Sequence, residues 1–278
     1  MSRVCCYSNC YGPFGVWAAV ECVREAGIAT LELALRAHNL GGLIIPEEAV
    51  ITEQTDESRV RDFQNQLANH GVEVACCNVG GDALSDIGVA HIELRLKCAR
   101  RWFGVSLVVS NVGQPTTKSE REKVNENLAR LGDAAAALGI VIALETHKGP
   151  TQNAAVMTSV MSELRHPNIG INFDTGNIAY YNESFEPCRE LEAIAPWVRN
   201  VHLKDNRGGF GDWYFPALGE GGAVDFRRVR EILDTVGYPG SFTIELEGIG
   251  DEPEQGLEVR QERVRRSVEH LRACGYDV

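Results

Sequence analysis

Eight short apolar runs, separated by amphipathic stretches, limit the folds open to this chain. They cover roughly residues 3–7, 29–35, 72–79, 104–110, 140–145, 169–174, 198–203 and 241–246. Most are continuous, β-branched runs and not alternating ones, the mark of strands buried on both faces of a parallel sheet. The intervening segments read as helices. Glu57–His70 aligns Val60, Phe63 and Leu67 and stops at Gly71. Residues 119–138 open on Ser-Glu-Arg-Glu, a capping-box spacing, bury Val124, Leu128, Leu131, Ala135 and Leu138, and stop at Gly139. Val229, Ile232, Leu233 and Val236 stripe a helix ending at Gly237, and Leu257, Val264, Val268 and Leu271 stripe the last one. Gly27, Gly71, Gly139 and Gly237 each close a helix just before a strand, with a period of about 35 residues. A chain of 278 residues suits one (β/α)8 barrel, so a single domain over 1–278 is expected, with no linker or low-complexity tract.

The last four of these runs each end in a metal-binding residue type. Residues 141–144 close on Glu145, 169–173 on Asp174, 198–201 on His202 and 242–244 on Glu245. Successive ligands are about 30, 30 and 40 residues apart, near one strand-plus-helix unit or slightly more. Such strand ends meet at the carboxyl mouth of a barrel, where ligands bind. Singly, each has a plainer explanation: a solvated Glu, an Asp capping a turn, a structural His. Four in succession, with no Lys or Arg in those places, point to one divalent metal. Three oxygen donors and one nitrogen favour Mn2+, with Mg2+, Co2+ or Zn2+ as alternatives. Such an ion would orient a hydroxy-carbonyl substrate and stabilise an enediolate.

Other residues are placed beside this site by their position. His147 and Lys148 follow Glu145 and should face the mouth. Lys204, Asp205 and Arg207 follow His202, with Lys204 or Arg207 expected to reach substrate oxygens and Asp205 to serve as a hydrogen-bonding support or as turn chemistry. The connection 204–224 carries six glycines and four aromatics, Phe210, Trp213, Tyr214 and Phe215, and is expected to wall or cover the site. A second long connection, 36–55, carries Gly41, Gly42 and Pro46. Glu32, a charge within an apolar strand, needs a partner, the plainer option being a salt bridge inside the barrel. Glu247 competes with Glu245 as last ligand; Glu245 is preferred because it lies nearer the end of its run.

Composition argues against several function classes. The net charge of −12 argues against a nucleic-acid partner, and no apolar run approaches the roughly 18 residues of a membrane span. Nine cysteines, an odd number without CxxC spacing, and an opening without the apolar core of a signal peptide lead us to expect reduced thiols and a cytoplasmic location. P-loop, GxGxxG, HExxH and GxSxG signatures are absent.

The segments Ala-Leu-Glu145-Thr-His, Asn-Phe-Asp174-Thr-Gly-Asn177, Val-His202-Leu-Lys-Asp205 and Thr-Ile-Glu245-Leu resemble those of the xylose isomerase-like TIM-barrel superfamily, the sugar isomerase/epimerase group. The aromatic-Gly stretch at 11–17, Ala-Gly-Ile and Leu-Glu32-Leu fit as well, so the resemblance spans nearly the whole chain. It implies that Glu145, Asp174, His202 and Glu245 bind one divalent ion, and that Glu145 and Glu245 act as acid and base on opposite faces of a ketose-like substrate. Ketose 3-epimerases of the group often carry His three residues after the Asp; here that position is Asn177. The expected function is a divalent-metal-dependent isomerase or epimerase of a ketose or related small polyhydroxy carbonyl compound. The alternative is a lyase acting on an oxo-sugar or sugar acid through the same site. Endonuclease IV-like DNA repair, which needs a His-rich zinc cluster, and non-catalytic sugar binding rank lower. Expected substrate contacts are His147, Lys148, Asn177, Lys204, Arg207 and Trp213. The expected partner is a small sugar-like molecule, with no nucleic acid or membrane and with homo-oligomerisation left open.

Overall fold

A computed structural model describes residues 4–38, 50–184 and 186–278. Eight parallel strands close on themselves: β1 (Val4–Tyr7), β2 (Thr30–Arg36), β4 (Glu73–Asn78), β5 (Leu107–Ser110), β6 (Val141–Glu145), β7 (Ile169–Asp174), β8 (Val198–Leu203) and β10 (Phe242–Ile244). Around the ring the order is β1, β10, β8, β7, β6, β5, β4, β2, and β2 pairs back with β1. The chain is therefore a single (β/α)8 barrel. Three two-residue strands lie outside the ring. β3 (Ile51–Thr52) pairs parallel beside the end of β2, while β9 (Tyr214–Phe215) and β11 (Gly248–Ile249) pair antiparallel and tie the connection after β8 to the one after β10.

Helices clad the ring: α1 (Gly15–Cys22), α2 (Glu57–His70), α3 (Asp86–Cys98), α4 (Lys118–Ala137), α5 (Ala154–Leu164), α6 (Asn177–Tyr180), α7 (Pro187–Ile194), α8 (Phe226–Thr235) and α9 (Leu257–Ala273). Most of the apolar stripes that mark them in the sequence are the faces they bury. Val60, Phe63 and Leu67 in α2 and Val264, Val268 and Leu271 in α9 are buried, and all of these but Val60 join one core cluster with the strands, whereas Val236, just past α8, is exposed. Gly71 and Gly139, at φ 63 and 66, take the left-handed turn that lets α2 and α4 fall directly into the next strand. Among the described residues, no helix is long and apolar enough to cross a membrane.

Three boundaries differ from expectation. The fourth run begins as a strand only at Leu107, because Gly104 (φ 67) still caps a π-helical turn, Ala99–Phe103, that prolongs α3. The capping box of α4 is Thr117 with Glu120, and not one opened by Ser119. Glu120 accepts from the Thr116 and Thr117 backbone amides, and also from the Thr116 hydroxyl, so the earlier box satisfies more donors. The last strand stops at Ile244, leaving Glu245 and Glu247 just beyond it. Within the connection 36–55, Gly41, Gly42 and Pro46 lie outside the described residues.

Candidate metal centre at the barrel mouth

Parallel pairing brings the four expected ligands to one end of the barrel. Glu145 and Asp174 end β6 and β7, His202 is the penultimate residue of β8, and Glu245 follows β10. Register sets Asp174 opposite His202, and Thr243, two residues before Glu245, opposite His202 on the other side. One ligand atom from each residue lies within 4.8 Å of all the others, and all four side chains are buried. That spread is close to the roughly 4.2 Å that opposed ligands about 2.1 Å from an ion would span.

Asp174 and His202 each have one side anchored and the other aimed into the cluster. Asp174 Oδ1 accepts from the backbone amides of Gly176 and Asn177, both at 2.9 Å. Its Oδ2 faces His202 Nδ1 at 4.0 Å and the Lys204 ammonium at 3.2 Å. His202 Nδ1 points at Glu245 Oε2 (2.9 Å) and Glu145 Oε1 (3.5 Å), while Nε2 on the far side of the ring meets Glu32 Oε1 at 2.8 Å. Tyr7 stacks on that ring with centroids 5.6 Å apart and planes inclined by 28°. Asn111 Nδ2 lies 3.5 Å from Glu145 Oε2.

The electrostatics fit a cation. Burial pushes the Asp174 carboxyl up to about 8 against the pull of Lys204, so its surroundings disfavour a bare carboxylate. Burial works the same way on Glu245, but Lys204 and His202 outweigh it and hold that carboxyl well below its usual range. Burial likewise opposes charge on His202, and Glu32 and Glu245 overcome it and raise its proton affinity. His202 Nδ1 is buried and makes no well-directed hydrogen bond, and Glu245 Oε2, 2.9 Å from it, is approached by the Lys204 ammonium at 3.1 Å. A buried imidazole nitrogen left open among three crowded carboxylates is what a divalent ion would satisfy, since uncompensated buried charge costs several kcal/mol. Glu145, Asp174, His202 and Glu245 are thus the residues that can hold it.

Lys204 is buried beside this centre. Its ammonium meets Asp174 (3.2 Å), Glu245 (3.1 Å), Glu247 (2.8 Å) and Asn177 Oδ1 (3.2 Å), and lies over the Phe215 ring at 4.8 Å. Burial disfavours its charge, and these carboxylates more than restore it. Gly176 is required by its side chain: a Cβ there would lie 2.8 Å from Lys204 Cγ. Phe215 begins an aromatic wall. Trp213 packs edge-on against Phe215 and Tyr180, Tyr180 against Tyr181, and Tyr181 on His147, whose Nε2 is 3.1 Å from the Tyr181 hydroxyl.

The other expected residues fall in different surroundings. Asn177 is buried, donates its side-chain amide to the Thr146 carbonyl and joins Lys204. His147 is half-buried at the mouth, whereas Lys148 is exposed in the turn after β6. Arg207 is exposed, paired in two contacts with Asp212 and laid over Tyr214, and it makes none of the contacts that define the centre. Asp205 supports the connection itself, accepting from the amides of Asn206, Gly219 and Val224. Glu247 pairs with Lys204 on the rim. Glu32 finds its partner in His202, joined by Cys76, Asn78 and Asn200. Sequence reasoning passed over Tyr7, Asn111, Tyr180 and Tyr181. The only local signal was a Tyr-Tyr pair in the connection after Asp174; Tyr7 and Asn111 sit at strand ends like many others.

A closed parallel barrel with a buried cluster of three carboxylates and an imidazole at its carboxyl mouth defines a TIM-barrel protein with a candidate metal centre. The family model for xylose isomerase-like TIM barrels matches residues 20–274, and the chain belongs to that family. Inosose dehydratase from Geobacillus thermodenitrificans is 29% identical over 163 residues, 52% of this chain and 54% of that protein. The chain thus spans about half the length of the curated relatives it matches. A xylose isomerase-like TIM-barrel protein from Mycobacterium smegmatis, solved in complex with magnesium, superposes with a TM-score of 0.74 at 17% identity, covering 99% of this chain and 98% of that one. An L-ribulose 3-epimerase superposes with a TM-score of 0.73 at 18% identity, covering 99% and 94%. At these identities the structural likeness speaks for the fold.

Proposed function

We propose that the protein is a divalent-metal-dependent enzyme that removes a proton next to the carbonyl of a small polyhydroxy compound, and that the enolised substrate then loses water. The buried Lys204 ammonium, 3.1 Å from Glu245 and 3.2 Å from Asp174, carries this proposal. An ion held by Glu145, Asp174, His202 and Glu245 would polarise the substrate carbonyl and lower the cost of charge developing on its oxygen. Glu145 is the freer carboxylate. It has Asn111 and the His202 ring as neighbours and no contact with the lysine, which suits it to take the C–H proton. As that bond breaks, its electron pair forms the C=C bond, the adjacent C–O bond breaks, and Lys204 gives the departing oxygen a proton to leave as water. The wall of Phe215, Tyr180 and Trp213 limits solvent access to the reacting carbon.

Loss of water is also the reaction named in the inosose dehydratase relatives. The second reading is isomerisation or epimerisation, favoured by the convergence of two carboxylates, Glu145 and Glu245, on one centre. Proton NMR in D2O with Mn2+-free, Mg2+-loaded protein and a panel of inososes, ketoses and 3-oxo-sugars separates them. Dehydration predicts loss of the C–H signal together with a new vinylic product. Exchange with formation of an epimer or isomer and no alkene selects the second reading, and absence of any exchange across the panel contradicts both. Lys204→Met should slow dehydration by about 10²–10⁴-fold while C–H exchange persists; equal loss of both would remove the lysine's acid role.

A further inference from the structure

The fully buried carboxylate of Glu32 lies beneath the metal centre, on β2, across the barrel from β8. Four groups converge on it. Oε1 receives Asn78 Nδ2 at 3.3 Å and faces His202 Nε2 at 2.8 Å. Oε2 receives Cys76 Sγ at 3.3 Å and Asn200 Nδ2 at 3.1 Å. Thiol and amide hydrogens already point at this carboxylate, so it serves as an acceptor on both oxygens. The neighbouring imidazole must then present an N–H, and the hydrogen belongs on Nε2.

We propose that Glu32 is a positioning residue that fixes the tautomer and aim of His202, so that the lone pair of Nδ1 is delivered to the metal centre. The geometry on the other side of the ring agrees. Nδ1 has no hydrogen-bond partner and looks towards Glu245, Glu145 and Asp174 at 2.9, 3.5 and 4.0 Å. Tyr7 packs against one face of the ring. Neither Glu32 nor Tyr7 offers an atom to the four-residue ligand cluster itself. The carboxylate also makes the ring a stronger donor, as carboxylates behind metal-bound histidines do. A merely structural Glu32 would hold β2 to β8 without dictating which ring nitrogen carries hydrogen.

This inference rests on the metal reading, and the test separates the two. Protein labelled with 15N-histidine is titrated with Zn2+, and His202 is observed through long-range 1H–15N couplings. The expected spectrum shows a protonated Nε2 and a Zn2+-bound Nδ1. Glu32→Gln should weaken Zn2+ binding by roughly 10–100-fold and change the Nε2–H resonance. Binding of Zn2+ through Nε2, or a Glu32→Gln protein with unchanged affinity and an unchanged His202 spectrum, overturns the positioning role alone. Failure of the native protein to bind Zn2+ overturns the metal reading and this role with it. If Glu32→Gln does not fold, the spectrum of the Zn2+-loaded native protein decides: hydrogen retained on Nδ1, or zinc on Nε2, refutes the proposal.

Discussion

Glu245 and Glu247 sit two residues apart just past the same strand, and their surroundings assign them different work. Glu245 is buried, with one oxygen left for the centre, whereas Glu247 is on the rim and is held by Lys204 at 2.8 Å. Alternation along an extended chain sends both the same way, so the sequence could rank them only by distance from the apolar run. Glu145→Gln and Glu245→Gln should each cut turnover by about 10²–10⁴-fold, and each should also bind metal more weakly. Glu247→Gln should keep its metal. Steady-state kinetics with metal analysis checks this, and the reverse pattern for the last two variants would move the ligand by two residues. The four clustered residues were legible as a group because each closes an apolar run. The contacts of Glu32 were not: Asn200 and His202 reach it from 168 and 170 residues away, and only closure of the barrel brings them together.

At the scale of the element, the connection after β8 is built around one carboxylate. Asp205 accepts three backbone amides, and Gly222 lies so close that a Cβ would fall 1.8 Å from Asp205 Oδ1. The result holds Phe215 against Lys204 and Trp213 against Tyr180. Asp205→Asn turns an N–H2 group towards a backbone donor and should cost about 1–3 kcal/mol; Gly222→Ala should destabilise in the same direction. Thermal melts should show Tm falling by roughly 2–4 °C per kcal/mol. A Gly222→Ala protein with an undiminished Tm would mean that the connection does not depend on this packing. Glycine and aromatic content marked the connection as functional, but which polar residue would organise it was not legible. Asp205 and Arg207 look alike in sequence, and only the folded path turns Asp205 inward and Arg207 outward onto Asp212. The start of α4 shows the same limit: Thr117–Glu120 and Ser119–Glu122 both have capping-box spacing, and extra donors at Thr116 select the first.

For the whole molecule, eight buried runs and their glycine stops were enough to give the barrel, since parallel strands joined by helices close readily at that number. Sequence order does not by itself show that β1 pairs with both β2 and β10, yet that closure places Tyr7 and Glu32 under His202. The barrel collects three carboxylates and an imidazole where burial would be costly for each one alone, and the compensation we infer is a bound cation. Metal content of the purified protein after loading and dialysis tests that claim most directly. The account predicts about one divalent ion per chain, with Asp174→Asn and His202→Ala each binding at least about 10-fold more weakly. Native protein that retains no ion, or both variants retaining it as tightly as the native chain, would contradict it.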